Sequence, residues 1–216
     1  MRKSVSEKRS LLRQHDQSFL DQGFRSLAGV DEAGRGPLAG PVVASAVIVR
    51  DFSFSSQVDD SKKMSAKARN TAYEEILEKC LIGIGVVEPE SIDALNIFQA
   101  TMKAMREAVV KLKETPGCLL IDGPHSPELP LKQFAIVNGD ALSFSIACAS
   151  IVAKVTRDRM MDYYDDLFPA YGFRKHKGYG TRQHIEALKK HGPCRIHRRS
   201  FEPVKSLYEE CHSRNL

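Results

Sequence analysis

The sequence predicts an α/β domain built on a mixed sheet, and three observations carry that expectation. Pro41–Val49 is dense in β-branched residues and reads as a buried strand. Cys118-Leu119-Leu120-Ile121 is short and wholly apolar and runs into Asp122-Gly123-Pro124, the pattern of a central strand ending in a turn. Segments of helical spacing alternate with such runs, and the last third is mostly helical.

The elements follow in order. Residues 4–20 carry Leu11, Leu12, Phe19 and Leu20 among many charges and fit a short amphipathic helix or a loose arm. Ser26–Asp31 is a short apolar run, a strand. Asp51–Asp60 is polar and serine-containing, a loop. Ser65–Cys80 has helical spacing at Ala68, Ala72, Ile76 and Leu77, with Ser65 as its cap. Leu81–Val87 is a further strand, and Pro89–Lys113 is one or two helices. Phe134–Val137 is one more strand, closed by Asn138-Gly139-Asp140. A long helix is expected from Ser143 to Phe168, with Ala147, Ala149, Ser150 and Ala153 small enough for close packing on a sheet. Gly172–Gly180 and His191–Arg199 read as basic loops between short helices, which makes His176 and His197 phosphate-side contacts or structural residues. The expected organisation is residues 1–25 as a helix or flexible arm, 26–205 as the main domain with its helical C-terminal part, and 206–216 as a short tail.

Bulk properties bound the function. A length of 216 residues suits one domain, and 42% hydrophobic residues provide a real core, so a disordered chain is excluded. A net charge of +5 leans toward anionic partners, although many basic proteins bind none. The five cysteines are widely spaced without a Cys-x-x-Cys pair, which argues against a zinc site or a disulfide framework. Cys118 and Cys148 lie in apolar runs and read as core residues. The charged N-terminus has no signal-like apolar core, no stretch is long enough to span a bilayer, and a cytoplasmic location without membrane contact is expected.

Three strand-like runs end in carboxylates. Asp31-Glu32 precedes Gly34-Arg35-Gly36, Asp122 closes Leu120-Ile121, and Asp140 follows Val137-Asn138-Gly139. Each alone has a plain structural explanation as a strand end, a turn residue or a helix cap. Neighbouring side chains on a strand point to opposite faces, so Asp31 and Glu32 are expected to share a site only if the backbone leaves the strand there, which the glycines permit. Together, converging carboxylates repel and call for cations, and an all-oxygen set suits Mg²⁺ or Mn²⁺ rather than zinc. Two such ions can drive phosphodiester cleavage.

Gly29-Val30-Asp31-Glu32-Ala33-Gly34-Arg35-Gly36-Pro37 resembles the signature of the ribonuclease HII family, the type 2 ribonucleases H. The resemblance continues through Asp60-Ser61-Lys62-Lys63, Leu120-Ile121-Asp122-Gly123, Ala149–Asp158, His176-Lys177-Gly178-Tyr179 and His197–Val204, and so covers roughly residues 27–205. It implies a ribonuclease H-like fold with a central mixed sheet flanked by helices. It implies hydrolysis of RNA in RNA–DNA hybrids and incision 5′ to ribonucleotides embedded in duplex DNA, leaving 3′-hydroxyl and 5′-phosphate ends. It implies two Mg²⁺ or Mn²⁺ ions held by the catalytic acids Asp31, Glu32, Asp122 and Asp140; separately, a monomer is expected. Gly34, Arg35 and Gly36 match the element whose backbone reads the ribose 2′-hydroxyl, and Tyr179 the tyrosine that packs on the neighbouring sugar. Lys62 and Lys154 fall in matching segments and are expected to contact phosphates or the metal cluster, while Asp158 is expected to be a structural helix residue. Asn138 departs from the family, which commonly has Lys there.

Competing readings are weaker. Gly34-x-Gly36-x-x-Ala39 fits a dinucleotide fingerprint only formally, since Pro37, Pro41 and a β-branched run stand where a helix must begin. Neither a Walker A sequence nor His-Glu-x-x-His is present. A non-catalytic nucleic-acid binder would not need four strand-end acids, and another nuclease on the same fold would not need the glycine–arginine–glycine and tyrosine elements. Ribonuclease HIII, a relative, usually carries a sizeable N-terminal domain, and only about 25 residues precede the core here.

Overall fold

The computed structural model describes residues 5–213; the first four residues of the expected N-terminal arm and the last three of the expected tail lie outside it. Five strands form one sheet in the order β3-β2-β1-β4-β5, with β1 Leu27–Ala33, β2 Val42–Val49, β3 Cys80–Val87, β4 Cys118–Asp122 and β5 Lys132–Ile136. β1, β2 and β3 pair antiparallel, and β1, β4 and β5 pair parallel, so the sheet is mixed as expected. The parallel half sets the site, because the three neighbouring strands β1, β4 and β5 all end on the same edge of the sheet.

Helices cover both faces. On one, α4 (Ile97–Val110) packs Ala100, Ala104, Met105 and Ala108 against Ala28, Val30, Leu119 and Ile121. On the other, α5 (Phe144–Leu167) lies over β1 and β2. A β-carbon at Gly29 would sit 2.1 Å from the main chain of Ser145, so only glycine lets α5 come this close. Ser143 caps α5 by accepting from Ile146 N, and Ser65 caps α2 (Ala66–Lys79) by accepting from Ala68 N. Of the one or two helices expected over Pro89–Lys113 the structure has two, α3 (Pro89–Leu95) and α4. They break at Asn96, whose φ of 69° is incompatible with a continuous helix and whose side chain caps α4. The C-terminal part holds α6 (Phe173–His176), α7 (Arg182–His191) and α8 (Val204–Ser213). Among the described residues no helix is long and apolar enough to cross a membrane.

The N-terminal segment forms a helix, α1 (Val5–Leu20), docked on the body. Leu12 is buried, and the Arg13 guanidinium lies over the rings of Phe144 and Phe52. Asp16, 1% exposed, accepts from Ser143 Oγ at 2.5 Å, Ser145 N at 2.8 Å and Ser145 Oγ at 2.7 Å. A carboxylate from one helix thus satisfies one free amide and two hydroxyls at the start of another. Asp16→Ala strands these donors in the interior and is expected to cost about 3 kcal/mol. Urea unfolding measures this, and a loss under about 0.5 kcal/mol would mean that α1 does not hold the start of α5.

Candidate active site

Asp31 and Glu32 stay inside β1, contrary to the expectation that the chain leaves the strand there: both pair with β2, opposite Ser45 and Ala44, and the strand runs on to Ala33. Alternation therefore holds. Asp31 shares the α5 face with Leu27 and Gly29, whereas Glu32 follows Ala28 and Val30 on the other. The parallel pairing with β4 ends at Val30 and Ile121, so the last residues of β1 project past that neighbour. At this open end the longer Glu32 side chain remains within electrostatic range of Asp122, as does Asp31.

Asp122 ends β4 on the α5-facing parity, and its Oδ1 accepts from Gly139 N at 2.6 Å. That bond ties the end of β4 to the single 3-10 turn Gly139–Ala141, which carries Asp140. Asp140 is mostly buried. The turn enters through Asn138 at φ 57°, a left-handed conformation that asparagine tolerates better than most residues with a side chain. All four acids therefore converge at the carboxyl ends of β1, β4 and β5.

The electrostatics match converging like charges. Burial, then Glu32 and Asp122, hold the Asp31 carboxyl well above the usual aspartate range. Burial raises Glu32, with Asp122 adding to the shift and Arg35 and Lys62 opposing it. Burial, Asp60 and Asp122 raise Asp140. Lys62 is partly desolvated, which opposes its charge, but Asp31, Asp140, Asp60 and Asp122 together outweigh that and raise its pKa. Among the described residues no group of three or more His, Cys, Asp or Glu side chains is gathered closely enough to hold a metal ion as placed. Asp31 and Asp122 each spend one oxygen on a backbone amide, that of Glu32 and that of Gly139. Four carboxylates, of which Asp31, Glu32 and Asp140 are raised by burial and by neighbouring acids, have the donor chemistry of a hard divalent cation site.

Beside the acids lies a pocket of about 210 Å³, lined among others by Glu32, Gly34, Arg35, Gly36, Lys62 and Tyr179. Lys154 also lines it and pairs with Asp158 at 2.7 Å, one helical turn on. Asp158 itself lies outside this pocket. Arg35 and Gly36 are exposed, and Tyr179 is 45% exposed with its ring facing Gly36.

Several residues around the site have roles that their residue type does not reveal. Arg157 and Arg198 are almost fully buried and bond only to main-chain oxygens. Arg157 reaches Pro41 O, Ala39 O and Lys177 O at 3.0, 3.1 and 3.0 Å. Arg198 reaches Gly40 O, Arg35 O and Gly34 O at 3.0, 2.9 and 2.5 Å. Burial lowers these guanidinium pKa values to about 10 and about 9, which leaves both charged at neutral pH. Ser61 Oγ and Ser150 Oγ meet at 2.8 Å, and Ser150 bonds to the Asp31 carboxyl. His176 and His197 belong to the interior, which excludes the phosphate-contact alternative, and His184 joins them.

An α/β fold with carboxylates gathered at the ends of parallel strands, next to a pocket with cationic groups, defines a metal-dependent nuclease. The chain belongs to the ribonuclease HII family, whose model matches residues 28–204. It is 55% identical over 186 residues to the ribonuclease HII of Syntrophobacter fumaroxidans, covering 86% of this chain and 80% of that one. The ribonuclease H2 of Pyrococcus horikoshii superposes with a TM-score of 0.74 at 24% identity, over 87% of this chain and 99% of that one. Bst-RNase HIII, solved in complex with Mn²⁺, shares the fold with a TM-score of 0.65 at 17% identity, over 87% and 70% of the two chains. The protein is thus an endoribonuclease with ribonuclease HII activity.

The buried imidazoles give this region a pH signature. Burial lowers the pKa of His184 from 6.5 to about 4. The unfolded chain therefore takes up this proton first, so the contribution is complete above about pH 6.5 and is lost as the pH falls toward 4. The loss for this one ring is on the order of 3 kcal/mol. Urea unfolding across that window is expected to show a shallower pH slope for His184→Asn than for the wild type; equal slopes would show that the ring is not held neutral.

Proposed function

We propose that Asp31, Glu32, Asp122 and Asp140 bind the divalent ions and that the adjoining pocket reads the ribose, so that the enzyme cleaves RNA–DNA hybrids and incises 5′ to ribonucleotides embedded in duplex DNA. The observation that carries this reading is the convergence of four carboxylates at one end of β1, β4 and β5, directly beside Gly34–Gly36 and Tyr179.

Two Mg²⁺ or Mn²⁺ ions at this donor set would supply a Lewis acid for phosphodiester hydrolysis, leaving 3′-hydroxyl and 5′-phosphate ends. The chain's own groups do the rest. Asp31, fixed through its bond from Glu32 N at 2.6 Å and by Ser150, presents its second oxygen to the site. Asp122 is held in the same way by Gly139. Lys62, drawn toward the acids by their combined charge, is placed to steady a phosphate oxygen at the edge of the cluster. Lys154 faces the same pocket, although its pairing with Asp158 directs part of its charge along α5.

The carbonyls of Gly34 and Arg35 are turned inward onto Arg198, which leaves the exposed side of this turn to meet a sugar without side-chain interference at Gly36. The 2′-hydroxyl is the group that tells RNA from DNA there. Tyr179 packs against the sugar beside the ribonucleotide and so senses the junction. RNA–DNA hybrid and ribonucleotide-containing duplex are the partners, and a monomer suffices because every group named comes from one chain.

Asp31→Asn and Asp122→Asn are each expected to lower hybrid cleavage by more than about 100-fold while hybrid affinity survives. Full Mg²⁺-dependent or Mn²⁺-dependent cleavage by either variant would remove the ligand assignment. Hybrid affinity is also expected to fall as salt rises, because cationic side chains contact phosphates. Titrations at increasing salt measure this, and a flat response would exclude such contacts.

A further inference from the structure

Behind the pocket, three imidazoles form one chain, stacked between His176 and His184 and hydrogen-bonded between His184 and His197, whose tautomers the geometry fixes. Gly178 N–H donates to His176 Nδ1 at 3.3 Å, so His176 carries its proton on Nε2 and donates to Tyr171 O at 2.9 Å. His184 Nδ1 lies 2.9 Å from Tyr179 O, and a carbonyl can only accept, so His184 is protonated on Nδ1. Its Nε2 lone pair then faces His197 Nε2 at 3.0 Å, which must carry the donor proton. His197 Nδ1 in turn accepts from Cys194 N at 3.0 Å. The rings of His176 and His184 stack at 4.4 Å, 14° apart. Every ring nitrogen has a partner in its proper sense, with Cys194 Sγ also 3.1 Å from His197 Nδ1, and this holds only if all three rings are neutral. A second proton on His184 would set two N–H groups against each other at its contact with His197.

The two ends that this chain grips are the N–H of Gly178 and the C=O of Tyr179, on either side of the Tyr179 side chain. Thr181 N also donates to Tyr179 O, at 2.8 Å, so that carbonyl is held from two directions. The same segment is fastened to the glycine turn: Leu38 N donates to Gly178 O at 2.8 Å, and Arg157 bonds Lys177 O together with Ala39 O and Pro41 O. Tyr179 is exposed, whereas His184 is wholly buried and lines no part of the pocket. Its geometry nevertheless sets where the tyrosine ring stands relative to Gly36, whose added β-carbon would lie 3.9 Å from Tyr179 Cε1.

We propose that His184, locked as the Nδ1–H tautomer by His197, is a positioning residue that holds Tyr179 against the glycine turn and thereby sets the preference for a single embedded ribonucleotide over a long hybrid. The proposal rests on the junction-sensing reading of Tyr179 and deepens it. Any hydrophobic residue could fill the space of a buried ring. Only a donor at the Nδ1 position supplies the second hydrogen bond to the Tyr179 carbonyl, beside that from Thr181 N.

The experiment compares kcat/KM on a duplex with one ribonucleotide and on a long hybrid for wild type, Tyr179→Ala, His184→Leu, His184→Asn and the Tyr179→Ala/His184→Leu pair. Asparagine keeps a donor near Nδ1, and leucine keeps only bulk. His184→Leu is expected to lower the single-ribonucleotide to hybrid ratio about tenfold, and His184→Asn to stay within about threefold of wild type. In the Tyr179→Ala background His184→Leu is expected to change the ratio less than about twofold, because its effect passes through the tyrosine. If Tyr179→Ala alone leaves the ratio unaltered, the junction-sensing reading fails and takes the proposal with it. If Tyr179→Ala lowers the ratio but His184→Leu does not, or lowers it equally in both backgrounds, the reading stands and the proposal fails. Should His184→Leu not fold, ¹⁵N NMR of the wild-type imidazoles decides. Protonation of His184 at Nδ1 and of His176 and His197 at Nε2 supports the chain, and an Nε2–H tautomer at His184 overturns it.

Discussion

Arg157 and Arg198 place two full charges in the interior with only main-chain oxygens to receive their hydrogen bonds. A buried charge is tolerated only when its donors are satisfied, and here six carbonyls do that work. Five of the six belong to the turn from Gly34 to Pro41, and the sixth, Lys177 O, belongs to the segment carrying Tyr179. The two arginines thus set the shape of the turn from beneath. The carbonyls of the turn are drawn inward, and the amides of Leu38 and Gly40 are engaged by Gly178 O and Ile196 O. Gly34 must be glycine for the same reason: at φ 96°, an added β-carbon would meet Arg157 Nε at 2.1 Å.

Charge is also sorted across the site. Four acids crowd the strand ends, where burial and mutual repulsion raise Asp31, Glu32 and Asp140. Immediately next to them the guanidiniums of Arg157 and Arg198 lie under the turn, and Lys62 stands over the acids. A nuclease needs both signs within one substrate's reach. Cations must be drawn to the acids, and a polyanion must be able to approach them. Separation of the two by a few residues of one strand and its turn lets the protein hold both without neutralising either.

Much of this was legible in the sequence, because strands that end in acids and glycines that follow them are local patterns. The β-branched and apolar runs placed all five strands, and Ser65 and Ser143 marked two helix starts. The course of the chain at Asp31-Glu32 was not legible. Whether a backbone leaves a strand depends on its neighbours, and β2 continues to pair past the point where β4 stops. Nor could residue type reveal that His176, His184, His197 and Arg198 turn inward, since the same residues in a basic stretch commonly face solvent. Their burial follows from long-range contacts, such as Arg198 with Gly34 across the whole domain. The docking of α1 is similar: Asp16 looks like any surface acid until α5 brings Ser143 and Ser145 to it.

The continuity of residues 31–36 has a consequence for selectivity. On the proposed reading, the strand end holds ions and the turn reads a 2′-hydroxyl, with no flexible linker between them. A sugar that fails to fit the turn would displace its phosphate from the acids by the same amount, because β1 and the turn are clamped from both sides, by β2 above and by Arg198 below. Catalysis is sensitive to misplacement of about 1 Å, so a small misfit at the ribose is converted into a large loss of rate. Discrimination would then appear in the chemical step as well as in binding, which is what a nuclease surrounded by an excess of intact DNA requires.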